Sequence, residues 1–445
     1  MTPALPGDEQ RHLPARAAWT GVVILWILFT LSYIDRQILA LLVVPIKADL
    51  GITDTQFGIL TGWTFAIFFS LAGLPAARIA DAGNRRLLIG AGVVFWSLAT
   101  AACGLARSFT TLFLARVGVG VGEATLAPAA TSLIADSFPP SKRGRAMATF
   151  SLGIPMGSAL AFILGGAVIA AVGAQSLRHV PLVGEVRGWQ LVFFIVGLPG
   201  LALAPLMFLV HEPRRRGTRG LNVASLTRTL AHFKAHARLY GLLYIGLSCH
   251  AALAFASNSW LPAFFLRVHG LSEGVIGPLL GGLVMVFGIA GAVTSGILMD
   301  RFTAAGRDDA AVRTILAALI VSLPLSMAFP LMPNAWLAAG ILAPTIFLAA
   351  FGWGIPFAAV AAITPNELRA QATALYTFTV NLLGYGIGPP LVGLYTDYVF
   401  GDEALIAYSL VAASLTLGPV GILLLYGVRA RFGRQARAVA ATEAA

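Results

Sequence analysis

The chain has 445 residues, of which 58% are hydrophobic and 11% charged, with a mean hydropathy of +0.83. A soluble domain carries roughly 25% charged residues, so this composition excludes a water-soluble fold and makes the bilayer the solvent. The net charge of +11 would suit nucleic acid only if the basic residues formed a patch, and they fall instead in short segments between apolar runs, which excludes a nucleic-acid partner.

In chain order, a polar tail (1–18) precedes apolar runs near 19–45, 56–80, 87–106, 110–134, 146–172, 189–210, 240–267, 275–299, 313–331, 336–362, 371–397 and 403–428. A spanning helix needs about 20 apolar residues, and the first run is long enough to remain as a span rather than a cleaved signal. The expectation is an all-α membrane protein of twelve transmembrane helices. Numbering the loops alternately, one side holds 23 Lys and Arg residues and the other 5, with Arg36 and Arg116 inside the membrane. By the positive-inside rule both termini are cytoplasmic. The polar stretch 211–239 divides the chain into a half of residues 19–210 and a half of residues 240–428, with a tail of residues 429–445. It reads as a cytoplasmic linker with a basic amphipathic piece on the membrane surface, and its run PRRRGTRG is placed to touch anionic headgroups. Cys103 and Cys249 lie in apolar runs far apart in sequence and read as buried thiols, implying no disulfide or metal framework and no cofactor.

The halves repeat. ARIADAGNRR (77–86) ends the second run and GILMDRFTAAGR (296–307) ends the eighth, aligning Ala77–Asp81 with Gly296–Asp300. Gly157 and Gly166 of the fifth run correspond to Gly384 and Gly393 of the eleventh, and Arg143 to Arg369. Two six-helix halves related by duplication are the usual build of a secondary transporter, with its site near the midplane between them.

On these residues the chain resembles the major facilitator superfamily, whose loop signature of Gly, apolar, Asp and paired basics is matched by ARIADAGNRR, with Ala77 in place of the leading Gly and Asn84 where Gly is usual. Together with YIDRQ (33–37), RVGVGVGEA (116–124), IPMGSALAFILGG (154–166) and EPRRRG (212–217), the Asn variant is similar to the spinster-like branch. That resemblance implies a monomeric antiporter of bacterial type in the inner membrane. Its animal relatives are implied to export lysophospholipids or sphingosine phosphate. It also implies a latch at the inner gate, formed by Asp81 and Asp300 with Arg85, Arg86 and Arg301 beside them; plain positive-inside anchoring is the other reading of these charges.

Four charges sit deep enough to be expensive, Asp35 and Arg36 in the first run and Arg116 and Glu123 in the fourth, each costing a few kcal/mol unless paired or facing a water-filled cavity. Arg116 and Glu123 share a helix face about 10 Å apart along the axis. From the helix rise Asp35 lies between their depths, so it is expected to bridge them, pairing with Arg116 when ionised and releasing it when protonated, while Glu123 carries or relays the proton. Adjacent residues point about 100° apart, so Arg36 needs a partner of its own. Simple helix-to-helix glue is the alternative role for all four. Tyr33, His250 and Asn381 are candidate cavity-lining residues, explained equally well by interhelical hydrogen bonds.

The run GVGVGEA lacks the preceding strand a phosphate loop needs and reads as close helix packing. A hydrolase would need a base beside a nucleophile; there is no HExxH, and His250 has no obvious partner. The leading expectation is a proton-coupled transporter of amphipathic or lipid-like molecules, because one half is charged and the other oily. Uptake of a small organic anion on Arg36 and Arg116, or uncoupled facilitation, are the competing readings.

Overall fold

The computed structural model describes residues 13–173, 175–180, 184–213 and 226–444; the run PRRRGTRG beyond Pro213 and the side chain of Asp81 lie outside the described residues. Among the described residues, eleven helices are long and apolar enough to cross a membrane: Ala15–Leu41, Asp54–Ala80, Arg85–Cys103, Phe109–Ser137, Ser141–Val172, Gly188–Leu209, Ala237–His269, Glu273–Ala304, Ala310–Leu331, Ala335–Ile363 and Glu403–Thr442. The remaining expected span is the unbroken helical stretch 369–400, where Asn381, four tyrosines, Pro389, Pro390 and several glycines dilute the apolar side chains. The twelve are called spans one to twelve below.

Local chemistry sets several boundaries. Thr53 and Ser108 close capping boxes at the starts of the second and fourth spans, satisfying amides that the first helical turn leaves free. Gly51 and Gly270, at φ 63° and 64°, end the helices of the first and seventh spans in the left-handed conformation, which costs glycine little. They are 219 residues apart, the same offset as Asp81 and Asp300, so the duplication extends to the helix caps. The twelfth helix runs on to Ala444 through the expected tail boundary, because Val428, Phe432 and Val439 keep one face buried at helical spacing. In the linker, Leu226–Ala235 is helical. The loop after the fifth span folds as a hairpin of Leu177–Val180 against Gly184–Arg187.

With six spans per half, the termini and linker share one face, the terminal face; the other is the distal face. At the distal face both halves contribute to one core, from Ile38, Phe57 and Phe162 to Trp260, Phe264 and Leu342. At the terminal face each half keeps its own, around Leu28, Trp96 and Ile134 in one and Leu243, Ile315 and Val360 in the other. Glycines let the halves meet distally: a Cβ on Gly166 would lie 2.9 Å from the Gly277 Cα, and one on Gly62 2.4 Å from the Tyr385 carbonyl oxygen. Charges join them too. The fully buried Asp54 pairs with Lys47 of its own half and with Arg267 across the divide at 2.6 Å, and Glu403 accepts from the same Lys47 and Arg267 at 2.7 and 2.9 Å. The Asp397 carboxylate accepts from the Asp54 and Thr55 amides at 3.2 and 2.6 Å. The structure is therefore closed at the distal face.

Candidate functional site

In the distal third of the first span, Asp35 and Arg36 turn to different neighbours. Arg36 Nη2 donates to Glu123 Oε2 at 2.7 Å, a pair almost fully removed from solvent. The guanidinium lies 3.8 Å from the Phe65 ring centroid and 4.5 Å from that of Tyr33, with Phe69 further out at 5.5 Å. A cation over desolvated rings gains on the order of 1–2 kcal/mol. The Tyr33 and Tyr385 hydroxyls are within its reach, and Tyr385, from the other half, stacks on Phe255 with centroids 3.6 Å apart. Arg36 thus sits in a ring of aromatic side chains supplied by both halves.

Asp35 is 0% exposed. Its carboxylate lies beside Trp96 and Thr100 of the third span, yet neither oxygen makes a well-formed hydrogen bond, and Trp96 Nε1 and Thr100 Oγ1 are themselves unsatisfied. Arg116 Nη1 donates to the Asp35 backbone oxygen at 3.1 Å rather than to its carboxylate. The expected bridge is not formed in this structure. Glu123 pairs with Arg36 instead of Asp35, and Arg116 holds the Asp35 carbonyl, because axial depth alone ignored which way each side chain turns around the helix. The four charges do cluster, with one strong pair and one unpartnered acid.

The other expected residues separate. His250 is buried and contacts the Ala349 carbonyl at 3.2 Å, a bond between the seventh and tenth spans. Asn381 is half-buried at the start of a π-helical turn, Asn381–Tyr385, a distortion common at functional positions. Arg85 is 1% exposed and gathers the Asp136 carboxylate, Glu212 Oε1 at 2.7 Å, Ser132 and the Pro213 carbonyl. Arg86 bonds Glu212 through its amide and Val210 through its side chain. Arg85 therefore ties the third span to the fourth and sixth, and Arg86 ties it to the sixth, within one half. Asp300 and Arg301 are exposed, and among the described residues neither enters an ion pair.

Sequence reasoning picked out Tyr33 but missed Phe65, Phe69 and Phe255 of the aromatic ring, and the Lys47–Asp54–Arg267–Glu403 group, whose members read as loop charges. The string GLSEG (270–274) matches G-x-S-x-G in letters but joins two helices, with Ser272 preceding Glu273–Leu283, without the strand-to-helix elbow that motif requires. GVGVGEA packs as expected, a Cβ on Gly122 meeting Trp96 at 2.7 Å.

The chain is 31% identical over 393 residues to an MFS-type efflux pump of Mycolicibacterium smegmatis, covering 88% of this chain and 87% of that one. It is 26% identical over 436 residues to a sphingosine-1-phosphate transporter of Danio rerio, covering 89% and 82%. A solved bacterial homologue of the human lysosomal transporter spinster, inward-facing and unoccupied, superposes with a TM-score of 0.79 at 27% identity, covering 95% of this chain and 98% of that one. Residues 25–389 match the family model of the Major Facilitator Superfamily, and with twelve spans in two halves around buried charge the chain belongs to that superfamily of membrane transporters.

Proposed function

We propose that this transporter works by alternating access as a proton-coupled antiporter that exports lysophospholipid-like or other amphipathic organic molecules. The observation that carries the reading is the unpartnered, fully buried Asp35 carboxylate one residue from a cation ringed by side chains of both halves. An uncompensated carboxylate in apolar surroundings is costly as an anion and cheap as an acid. On losing its proton Asp35 draws the Arg116 guanidinium from the neighbouring carbonyl, a short side-chain movement that changes the charge felt by the Arg36–Glu123 pair. Glu123, with one oxygen paired and the other unsatisfied, is the candidate relay. A proton entering down 100 mV supplies about 2.3 kcal/mol, enough for a roughly fifty-fold substrate gradient at one-to-one coupling.

The polar head of such a substrate meets Arg36 and Tyr33, and its tail the apolar second half at Phe255 and Tyr385. Two relatives named for sphingolipid or sphingosine-1-phosphate transport support that class. The charge bias of the loops supports cytoplasmic termini in a bacterial inner membrane, and hence an inward-facing state here. A monomer is in keeping with a site built wholly from one chain. When the distal face opens, Asp81, Asp300 and Arg301 are the residues proposed to latch the terminal face. Small-anion uptake is less favoured, since the second guanidinium of its clamp, Arg116, is held by the Asp35 carbonyl.

The test is pH-gradient-driven flux in proteoliposomes with lysophospholipids, sphingolipids and small organic anions. Gradient-dependent lysolipid flux is expected, lost in Asp35→Asn and Glu123→Gln. Flux that ignores the gradient in the wild type would overturn the coupling, and gradient-driven flux of organic anions alone would overturn the substrate class.

A further inference from the structure

The terminal face of the second half holds a groove of about 490 Å³, within the roughly 300–1,000 Å³ range of small-ligand sites. Its apolar lining comes from Met299, Ala358 and Ala362, where the apolar stretches of the eighth and tenth spans end, and its charged lining from Arg307, Arg437 and Asp308. The balance on this rim is positive. Arg307 has no side-chain partner among the described residues. Arg437 meets Asp308 at 3.3 Å with 65% of its side chain exposed, and such exposed pairs bind weakly. Asp309, the next acid on the loop, is engaged by Arg429 at 2.9 Å and by Arg313. Arg369 adds its charge to the lining while its Nε donates to the Ala361 and Thr364 carbonyls.

Height along the membrane normal narrows the occupant. Phe432 also lines the groove and lies four residues beyond Val428, the end of the apolar run, which is about 6 Å along the helix axis. That is the depth of the headgroup layer, about 5–8 Å on each side of the hydrocarbon. An apolar floor leading up to surplus arginine at headgroup depth complements an amphiphile with an anionic head. The basic linker run, or the arginine-rich helix end of a second copy, would be repelled.

We propose that this groove binds one acidic membrane phospholipid, its phosphate between Arg307 and Arg437 and the start of its acyl chains along Met299, Ala358 and Ala362. The lipid would tie the loop between the eighth and ninth spans to the end of the twelfth helix. Nothing in the transport reading depends on it.

The experiment is native mass spectrometry of the full-length protein titrated with phosphatidylglycerol, phosphatidylcholine and inorganic phosphate. One tightly retained phosphatidylglycerol is expected, with phosphatidylcholine not retained. Losing two arginine contacts in R307Q/R437Q should weaken retention about thirtyfold, while R434Q, an exposed arginine outside the groove lining, should not change it. A362F, which fills the floor without altering charge, should also weaken retention and serves if the double variant folds poorly. Equal retention in R307Q/R437Q and the wild type would overturn the proposal. So would inorganic phosphate displacing the lipid with A362F having no effect, which would reduce the groove to a small-anion site.

Discussion

The two halves place a charged node at the same point of the fold with opposite sign. In the first, Arg85 at the start of the third span gathers two carboxylates, Asp136 and Glu212, from the ends of the fourth and sixth spans. In the second, Asp309 at the start of the ninth span gathers two guanidiniums, Arg313 and Arg429, the latter from the twelfth. What the duplication keeps is the tie between corresponding helices; a reversed pair has the same Coulomb attraction. Deeper in the membrane the halves diverge. At the offset of 219 residues that relates Gly51 to Gly270, Arg36 corresponds to Phe255 and Asp35 to Ala254. One half carries the ionisable chemistry and the other offers rings and methyl groups to it.

Neutralising the charged half should have the largest consequence. Asp35→Asn is expected to abolish gradient-driven accumulation while leaving exchange or binding measurable; full uphill transport by this variant would leave Asp35 as structural glue. Next in size, Glu123→Gln strands the Arg36 guanidinium in its aromatic ring. Removing one partner of a buried pair costs about 3–5 kcal/mol, and the ring contacts place the expectation near about 3 kcal/mol, read as a lowered midpoint in thermal unfolding. A midpoint within error of the wild type would mean that the rings alone hold the cation. On the oily side, Phe255→Ala removes the stack on Tyr385, worth about 0.5–1.5 kcal/mol beyond area burial. It should raise the substrate KM by about fivefold and leave the pH dependence of flux in place. A shifted pH profile would show that the two halves do not divide the work in this way.

Much of this division was legible in the sequence. Twelve spans, the repeat and the four costly charges follow from apolar runs, loop bias and the price of charge in hydrocarbon. The pairing did not follow, because axial spacing gives depth but not direction around a helix. A turn of about 100° between neighbours hands Glu123 to Arg36 and leaves Asp35 against Trp96 and Thr100. Most of the aromatic ring was hidden for a different reason: Phe65, Phe69 and Phe255 are ordinary apolar letters until tertiary packing brings their spans against the first. Asp136, Glu212, Asp54 and Glu403 read as loop charges because their partners lie between 7 and 356 residues away, beyond any local pattern. The eleventh span was legible as the apolar run near 371–397, although Asn381 and the Gly- and Pro-rich turn that distort it lower its apolarity below that of the other eleven.

The smallest effect belongs to the inverted node, and its sign is fixed by chemistry. Burial alone pushes the Asp309 carboxyl up, but hydrogen bonds from Arg429 and Arg313 and their charge outweigh it and hold the group below its ordinary value of 3.8. A carboxyl depressed in the folded state contributes stability that is fully present above the unfolded pKa and is lost as pH falls through the folded one. The contribution is therefore constant from pH 5 to 8 and disappears only below about pH 4. Because the node is partly open to solvent, Asp309→Asn should cost about 0.5 kcal/mol at neutral pH and flatten this part of the acid limb of thermal stability in detergent. The cation at the centre of the other node, Arg85, stays charged throughout that range. A neutral-pH cost of zero with an unchanged acid limb would show that the inverted node only marks topology; a cost that grows between pH 5 and 8 would place the titrating group elsewhere.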